Sequence, residues 1–349
     1  MGVDHIGVFS LVMYCMIIVV GTVGNGLVIY VTGFIMRKTV NSVWFLNLAL
    51  ADFLFTAFLV FTAVSLSQQH HWPFGEFMCK LNNFVSLVNM FASVFFLTAI
   101  SLDRCLSTWV VVWAQNKRTV GKAQVISALI WLAAAICSTP YAYFRTVEER
   151  QNQTYCKYPS AMTENKHWTL CIFRFVMGFL FPFLAIFFSH VAIGIRARRL
   201  QRMRKQRRHW IIFAIIFAFF TCWLPFHVLS FIQLKFHNYS DVQNIVLVAG
   251  PLTVSLAFMN SCLNPILYVF MCDEFQTKLK QSICFVIEST LAEDHVLFGS
   301  SRSLSSPFSG TPQRSTVEEK QAVTSPTFIK TKLDSTEMQV SSEEDFNKL

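Results

Sequence analysis

The sequence has few charged residues for its length. Lys, Arg, Asp and Glu together make up 14% of the 349 residues, whereas 54% are hydrophobic and the mean hydropathy is +0.46. A soluble globular domain usually has more charge and less apolar residue content. This composition predicts a membrane protein.

Catalytic sequence motifs are also missing. The chain contains no nucleophile elbow, no zinc-binding motif and no phosphate-binding loop. We therefore expect a protein that is not an enzyme. The ten Cys residues lie mostly within apolar stretches or beside them, where packing or lipidation is more usual than a dense disulfide scaffold.

Seven apolar stretches are long enough to cross a bilayer. A membrane-spanning helix needs about 20 mainly apolar residues. The predicted spans are residues 9–34, 43–66, 77–108, 122–142, 168–195, 209–234 and 242–270. The sequence thus predicts an all-α membrane protein, with a seven-transmembrane helix bundle over residues 9–270.

Basic residues in the short loops indicate the orientation. Arg37, Lys38, Lys117 and Arg118 lie on the same side of the predicted bundle as the basic run 196–208. Because Lys and Arg are enriched in cytoplasmic loops, residues 1–8 are predicted to be extracellular. The net charge of +9 is concentrated beside spans five and six, so anionic lipid is a simpler partner than nucleic acid.

Two segments of different composition follow the last span. Residues 273–287 have apolar residues at three- and four-residue steps, which is typical of an amphipathic helix on a membrane surface. Cys284 within it is a candidate for palmitoylation or an unmodified interfacial cysteine. Residues 288–349 are rich in Ser, Thr, Glu and Pro and are predicted to be a disordered cytoplasmic tail. This tail is either a substrate of kinases, whose phosphates would attract a basic partner protein, or a solubilising extension.

Two glycosylation sequons lie on the predicted outer side. They begin at Asn152 and Asn238, and each has roughly even odds of arising by chance.

The apolar spans carry polar and proline residues that are costly inside a bilayer. They are Gly24-Asn25, Leu48–Asp52, Asp103–Cys105, Trp131, Pro182, Cys222–Pro225 and Asn264–Tyr268. With these residues in this order, the chain resembles a class A (rhodopsin-like) G-protein-coupled receptor from about Phe9 to Phe285.

The resemblance implies a disulfide between Cys79 and Cys156, which both fall on the oxidising outer face. It also implies a sodium site around Asp52 in span two. The expected sodium ligands and their neighbours are Asp52, Asn89, Ser93, Asn260 and Ser261. The alternative is a water-filled polar cluster that shares a proton without an ion.

The resemblance further implies roles in activation. Asp103 and Arg104 are expected to couple to the G protein, with Arg104 either paired with its neighbour or facing the partner. The expected conformational switch comprises Trp223, Pro225, Asn264, Pro265 and Tyr268, although Trp223 can also be a core aromatic residue. Two positions depart from the family pattern, because Cys105 and His190 replace the usual tyrosines.

Absences narrow the ligand class. Residues 246–270 contain no lysine for a Schiff base, which excludes an opsin, and Ser86 replaces the aspartate of amine receptors. Val254 replaces a glutamate of most chemokine receptors. The chain is more similar to the chemoattractant branch, which includes the chemerin and formyl peptide receptors. This similarity is carried by residues 71–75, 101–105, 112–116 and 260–271.

Arg174 matches the pocket arginine of that branch, and an arginine at this depth is costly unless it meets an anion such as a peptide carboxylate. Arg145 either assists it or is a solvated loop charge. Leu87 replaces the acidic residue of formyl peptide receptors, which favours a chemerin-like ligand. Phe84, Phe226 and Phe258 are predicted to hold apolar ligand groups or to be ordinary packing residues.

The sequence therefore predicts a plasma-membrane receptor for a peptide chemoattractant, signalling through an inhibitory-type heterotrimeric G protein with arrestin regulation. A non-signalling scavenger receptor is the main alternative. A transporter would need paired repeats or a charged conduit, and the sequence shows neither.

Overall fold

The computed structural model describes residues 2–150, 152–199, 206–236, 239–271 and 277. Helices dominate this part of the chain, joined by short loops and one hairpin. The helices are α1 (Gly2–Tyr30), α2 (Val40–Ser67), α3 (Gly75–Trp109), α4 (Val111–Lys117), α5 (Val120–Phe144), α6 (Glu164–Phe175), α7 (Phe181–Arg199), α8 (Gln206–Lys235) and α9 (Ser240–Met271).

Seven segments of the described chain are long and apolar enough to cross a membrane. They are His5–Ile35, Val40–Ser67, Gly75–Trp109, Val120–Phe144, Glu164–Arg196, Phe217–Phe236 and Ser240–Pro265, and we number them spans one to seven. Each overlaps one predicted span, which confirms the seven-helix fold. Helix α1 begins at Gly2, so most of the segment predicted as an outer terminus is helical.

Side chains at the loop junctions explain where two of the helices begin. Thr39 precedes α2, and its hydroxyl accepts a hydrogen bond from the backbone N–H of Ser42 at 3.1 Å. The Ser42 hydroxyl in turn accepts from the Thr39 N–H at 2.8 Å. Thr119 caps α5 in the same way through the N–H of Lys122. Such caps satisfy donors that the first helical turn leaves without partners.

A short π-helical segment, Val176–Leu180, joins α6 to α7 within span five. Pro182 follows it, and a proline has no N–H for the carbonyl four residues earlier. The widened turn accommodates this missing bond. It also brings Gly178 against span three, where an added Cβ would lie 3.0 Å from the Met90 Cε.

Span three forms the centre of the bundle. Met90, Phe91, Ala92, Val94 and Phe96 are almost fully buried there. The lipid-facing sides of the outer spans instead expose large apolar side chains, as expected for a protein whose solvent is hydrocarbon.

A two-stranded antiparallel hairpin lies at the end of the bundle where α3 begins. Its strands are β1 (Thr146–Arg150) and β2 (Gln153–Lys157), with Thr146 opposite Lys157 and Arg150 opposite Gln153. The disulfide Cys79–Cys156 ties β2 to the start of α3, as predicted. The disulfide therefore holds the hairpin close to the first turns of α3.

Candidate functional site

The outer half of span five presents a positive charge to the bundle interior. One terminal nitrogen of Arg174 donates a hydrogen bond to the Ser230 hydroxyl at 3.1 Å. The guanidinium carbon lies 4.6 Å from the centre of the Phe226 ring. The buried Nε of Arg174 has no hydrogen-bond partner in the described chain. This guanidinium therefore keeps donor capacity for a ligand.

Arg145 lies at the end of α5 and is half-buried, which differs from a solvated loop charge. Its Nε donates to the Asn83 side-chain oxygen at 3.3 Å, and a terminal nitrogen donates to the Cys156 carbonyl at 3.1 Å. Its guanidinium also stacks 4.4 Å from the centre of the Tyr158 ring. Burial lowers the pKa of Arg145, and the positive charge of Arg174 acts in the same direction.

The two arginines share the absence of an acidic partner. Neither has a carboxylate within salt-bridge distance among the residues that the structure describes. Buried cations are normally paired, because removing a charge from water is costly. The arrangement is chemically suited to bind an anionic group.

An aromatic cluster lies beneath this charge. The Phe226 ring centre lies 5.8 Å from that of Trp223 and 5.6 Å from that of His227. Phe175 and Phe179 close the other side of His227, at 5.7 Å and 5.3 Å. A ligand group that reached Phe226 would therefore meet a ring in direct contact with Trp223.

The other two predicted ligand-binding aromatic residues are placed differently. Phe84 is half-buried on α3. Phe258 packs against Tyr14 at 5.6 Å and Phe55 at 4.8 Å, in a separate apolar cluster of α1, α2 and α9. Phe226 therefore contacts Arg174. Phe258 does not, because the rings of Tyr14 and Phe55 cover it.

A buried polar cluster surrounds Asp52 in the middle of the bundle. The Asp52 carboxylate accepts from the Asn264 amide at 2.6 Å and from the Ser93 hydroxyl at 3.5 Å. Asn89 accepts from Ser93 at 3.1 Å, and its amide donates to the Ser261 hydroxyl at 3.1 Å. The cluster thus joins spans two, three and seven.

This cluster contains the predicted sodium-site residues, and Asn260 is buried next to Ser261 on α9. The oxygen atoms of Asp52, Asn89, Ser93 and Ser261 are the donors that a hard cation prefers. All of the hydrogen-bond partners found for the Asp52 carboxylate are neutral. The donor set therefore fits a small monovalent cation.

The end of span three that contains Asp103 and Arg104 has an ion pair that the sequence did not indicate. Both carboxylate oxygens of Asp103 accept hydrogen bonds from Arg118, at 2.8 to 3.1 Å. Arg118 also donates to the Asn41 side chain at 2.7 Å. Asp103 is therefore bound by the segment before α5, in addition to any interaction with adjacent Arg104.

The predicted switch residues lie in two helices. Trp223 is buried on α8, where Pro225 follows it, and Asn264 and Pro265 are buried on α9. Tyr268 lies in α9, but its side chain is outside the described part. Asn152 is exposed at the hairpin turn. Asn238, Cys284, the amphipathic segment 273–287 and the tail 288–349 also lie outside the described residues.

Sequence patterns missed several residues of these sites. Ser230, one turn after Phe226, and His227, four residues after Trp223, lie on the face of α8 that Trp223 already marks. Helical spacing alone could have suggested them. Arg118 is different, because Asp103 and Asn41 are distant from it in sequence and only the fold brings them together.

Comparison with known proteins agrees with this geometry. The family described as 7 transmembrane receptor (rhodopsin family) matches residues 24–268. Chemerin-like receptor 2 of Macaca mulatta is 39% identical over 289 residues, covering 81% of each chain.

Two further relatives have related names. The C3a anaphylatoxin chemotactic receptor of Danio rerio is 40% identical, covering 83% of this chain and 80% of its own. Chemerin-like receptor 1 of Homo sapiens is 38% identical, and the match covers 82% of this chain and 81% of that receptor. The chain therefore belongs to the rhodopsin family of G-protein-coupled receptors and is a multi-pass membrane receptor of the chemoattractant type.

Proposed function

We propose that this receptor binds a chemerin-like peptide through the carboxylate at the peptide's C-terminus. The proposal depends mainly on Arg174, a partly buried cation with no acidic partner in the described chain and with an Nε that lacks an acceptor. A carboxylate is the natural partner of such a guanidinium, since it accepts two parallel hydrogen bonds. Arg145 adds positive charge from the hairpin side.

The peptide enters from the extracellular side, where residues 1–8 are also proposed to lie. Its carboxylate binds Arg174 and its apolar side chains contact Phe226. Since Phe226 contacts both Arg174 and Trp223, ligand binding there displaces the Trp223 ring. Pro225 frees a carbonyl in α8 and lets the cytoplasmic part of span six pivot outward.

We further propose that the opened cytoplasmic face presents Arg104 to a heterotrimeric G protein of the inhibitory type. Phosphorylation of the tail by receptor kinases then recruits arrestin. The basic residues beside spans five and six lie against anionic lipid at the plasma membrane. The scavenger alternative keeps ligand binding and arrestin but omits the G protein, and Cys105 and His190 are the departures that favour it.

A sodium ion at Asp52 is part of this proposal. When bound, the ion neutralises the Asp52 carboxylate and stabilises the inactive packing of spans two, three and seven. Asp52, Asn89, Ser93 and Ser261 would hold it. The competing hypothesis is a proton shared within the same cluster.

The test of ligand binding uses a synthetic peptide with the C-terminal sequence of chemerin, made with a free carboxylate and as an amide. We expect the amide to bind wild-type receptor roughly tenfold to hundredfold more weakly, since a hydrogen bond to a charged group contributes about 1.5–3 kcal/mol. Arg174→Ala should weaken binding of the free carboxylate by a similar factor and leave amide binding nearly unchanged.

Two variants serve as controls for this experiment. Arg150→Ala removes an exposed hairpin arginine and should leave the preference for the carboxylate intact. Arg174→Lys keeps the charge but not the paired donors, and we expect intermediate affinity. If Arg174→Ala still discriminates the carboxylate from the amide at normal surface expression, the proposed anchor is wrong.

A further inference from the structure

The first outer loop, residues 68–74 between α2 and α3, is hydrogen-bonded to strand β2 at Thr154. The Trp72 N–H donates to the Thr154 carbonyl at 2.7 Å. The Thr154 hydroxyl donates to the Trp72 carbonyl, also at 2.7 Å. The backbone groups of Thr154 thus bond to this loop, while its neighbours in β2 pair with β1.

A third hydrogen bond in the same place involves an imidazole. The Thr154 N–H donates to Nδ1 of His71 at 3.2 Å. A ring nitrogen can accept a hydrogen bond only when it carries no proton. The observed contact therefore requires neutral His71 with its hydrogen on Nε2.

We propose that His71 is a proton-sensitive latch that joins the first outer loop to the hairpin and opens in mildly acidic surroundings. Histidine is the side chain that ordinarily changes charge between pH 5 and 8. Once Nδ1 is protonated it can no longer accept from the Thr154 N–H. It can instead donate to the Thr154 hydroxyl, 3.3 Å away, and the backbone N–H is left without its acceptor.

Other titratable groups on the hairpin do not supply this response. Glu148 is bound by Lys157 at 2.8 Å, and this hydrogen bond lowers the pKa of Glu148 to about 2. Glu148 therefore stays ionised between pH 5.5 and 7.4. Glu149 lies opposite Thr154 and Arg150 lies opposite Gln153. Both side chains are exposed.

The groups on the other two elements are also accounted for. On α3, Glu76 is paired with Lys80 at 2.7 Å, and both face solvent. On the loop itself, His70 precedes His71 with its backbone in the left-handed region, at φ 67°. His70 is exposed, and its side chain has no hydrogen bond to the hairpin in the described structure. It is therefore a matched control for His71.

The latch lies close to the element that covers the ligand entrance. Thr154 is two residues from Cys156, whose disulfide fixes the far end of β2 to span three. Opening the latch therefore releases the Thr154 N–H near the turn end of the hairpin, while the two hydrogen bonds between Thr154 and Trp72 and the disulfide stay in place. We expect the turn end of the β1–β2 hairpin to be more mobile at acidic pH, whichever ligand the receptor binds.

Hydrogen–deuterium exchange of the full-length receptor in lipid nanodiscs tests this inference without a ligand. Exchange is measured at pH 7.4 and 5.8, corrected for the intrinsic pH dependence of amide exchange, in overlapping peptides that isolate residues 153–156. We expect protection of wild type to fall severalfold at pH 5.8, because protonation removes the imidazole acceptor. His71→Gln supplies an acceptor oxygen at either pH and should show equal protection at both.

His70→Gln should keep the severalfold change, because the His70 side chain has no hydrogen bond to Thr154. Exchange of the spans in each variant reports whether the bundle is intact. Equal corrected protection of wild type at both pH values would overturn the latch. So would a pH response that persists in His71→Gln or disappears in His70→Gln.

Discussion

At the scale of single residues, the ion pair of Asp103 with Arg118 changes the expected account of span three. The sequence suggested that Asp103 pairs with adjacent Arg104, but Arg118 occupies both carboxylate oxygens. The pair is partly buried, with the two side chains 23% and 10% exposed. It therefore has more effect on local structure than a fully exposed surface pair, which contributes little.

Removing Arg118 should weaken G-protein coupling. In Arg118→Ala the Asp103 carboxylate loses its partner and draws the neighbouring Arg104, which is then less available to a G protein. We expect agonist-driven G-protein dissociation to require roughly threefold to tenfold more agonist. Lys117→Ala, which changes the neighbouring basic residue, should behave like wild type. Unchanged or increased coupling in Arg118→Ala would contradict this role.

The Asp52 cluster gives a second prediction at this scale. Replacing potassium with sodium at constant ionic strength should lower agonist affinity severalfold in wild type, because bound sodium favours the inactive state. Asp52→Asn removes the charge that holds the cation and should abolish the difference between the two salts. If wild type binds agonist equally in sodium and potassium, the proton-sharing alternative is favoured.

At the scale of elements, close packing between helices depends on a few small residues. A Cβ added to Gly21 of α1 would lie 2.5 Å from a methyl carbon of Thr56, which is fully buried on α2. Small residues at such positions allow membrane helices to approach closely.

Gly21→Val should therefore destabilise the bundle by roughly 1–3 kcal/mol, the usual cost of overpacking a core. A thermal-shift measurement on purified receptor should show a clearly lower melting temperature. Gly26→Ala in the same helix is the control, because its Cβ would lie 3.6 Å from Phe53, an ordinary contact. Equal melting temperatures for Gly21→Val and wild type would contradict this prediction, because they would show that the α1–α2 contact accommodates a larger side chain at Gly21.

The hairpin leads to a prediction about its disulfide. Cys79→Ser with Cys156→Ser removes the covalent link but leaves the hydrogen bonds of Thr154 and Arg145 in place. We expect weaker peptide binding and lower surface expression, while the spans remain helical by circular dichroism. Wild-type affinity in this double variant would mean that the hydrogen bonds alone fix the hairpin.

At the scale of the whole molecule, the sequence predicted the architecture well, because bilayer thickness sets span length and polar residues inside apolar stretches are informative. The Cys79–Cys156 bond was predicted from the family resemblance, together with the position of both cysteines on the predicted outer face. Arg174 was predicted from its position before Pro182. The π-helical turn between Arg174 and Pro182 was not predicted, since it depends on how span five packs against Met90.

Contacts between distant loops could not be predicted. Arg118 with Asp103, and Thr154 with His71, join segments whose separation in space depends on the packing of whole helices. Arg145 looked like a loop charge because β2 and Tyr158, which cover it, follow it in a segment without strong periodicity. Phe258 is an aromatic residue of the kind that lines ligand pockets, but Tyr14 of α1 and Phe55 of α2 pack against it, and only the fold brings them there.

The central claim is that this chain transmits a signal to a G protein when a peptide carboxylate binds. The most direct test follows G-protein dissociation and arrestin recruitment in the same cells, with sensors for each G-protein class, during addition of the chemerin C-terminal peptide. We expect dissociation of an inhibitory-type G protein in wild type and its loss in Arg174→Ala at equal surface expression. Arrestin recruitment without dissociation of any G protein would contradict it and indicate a scavenger receptor.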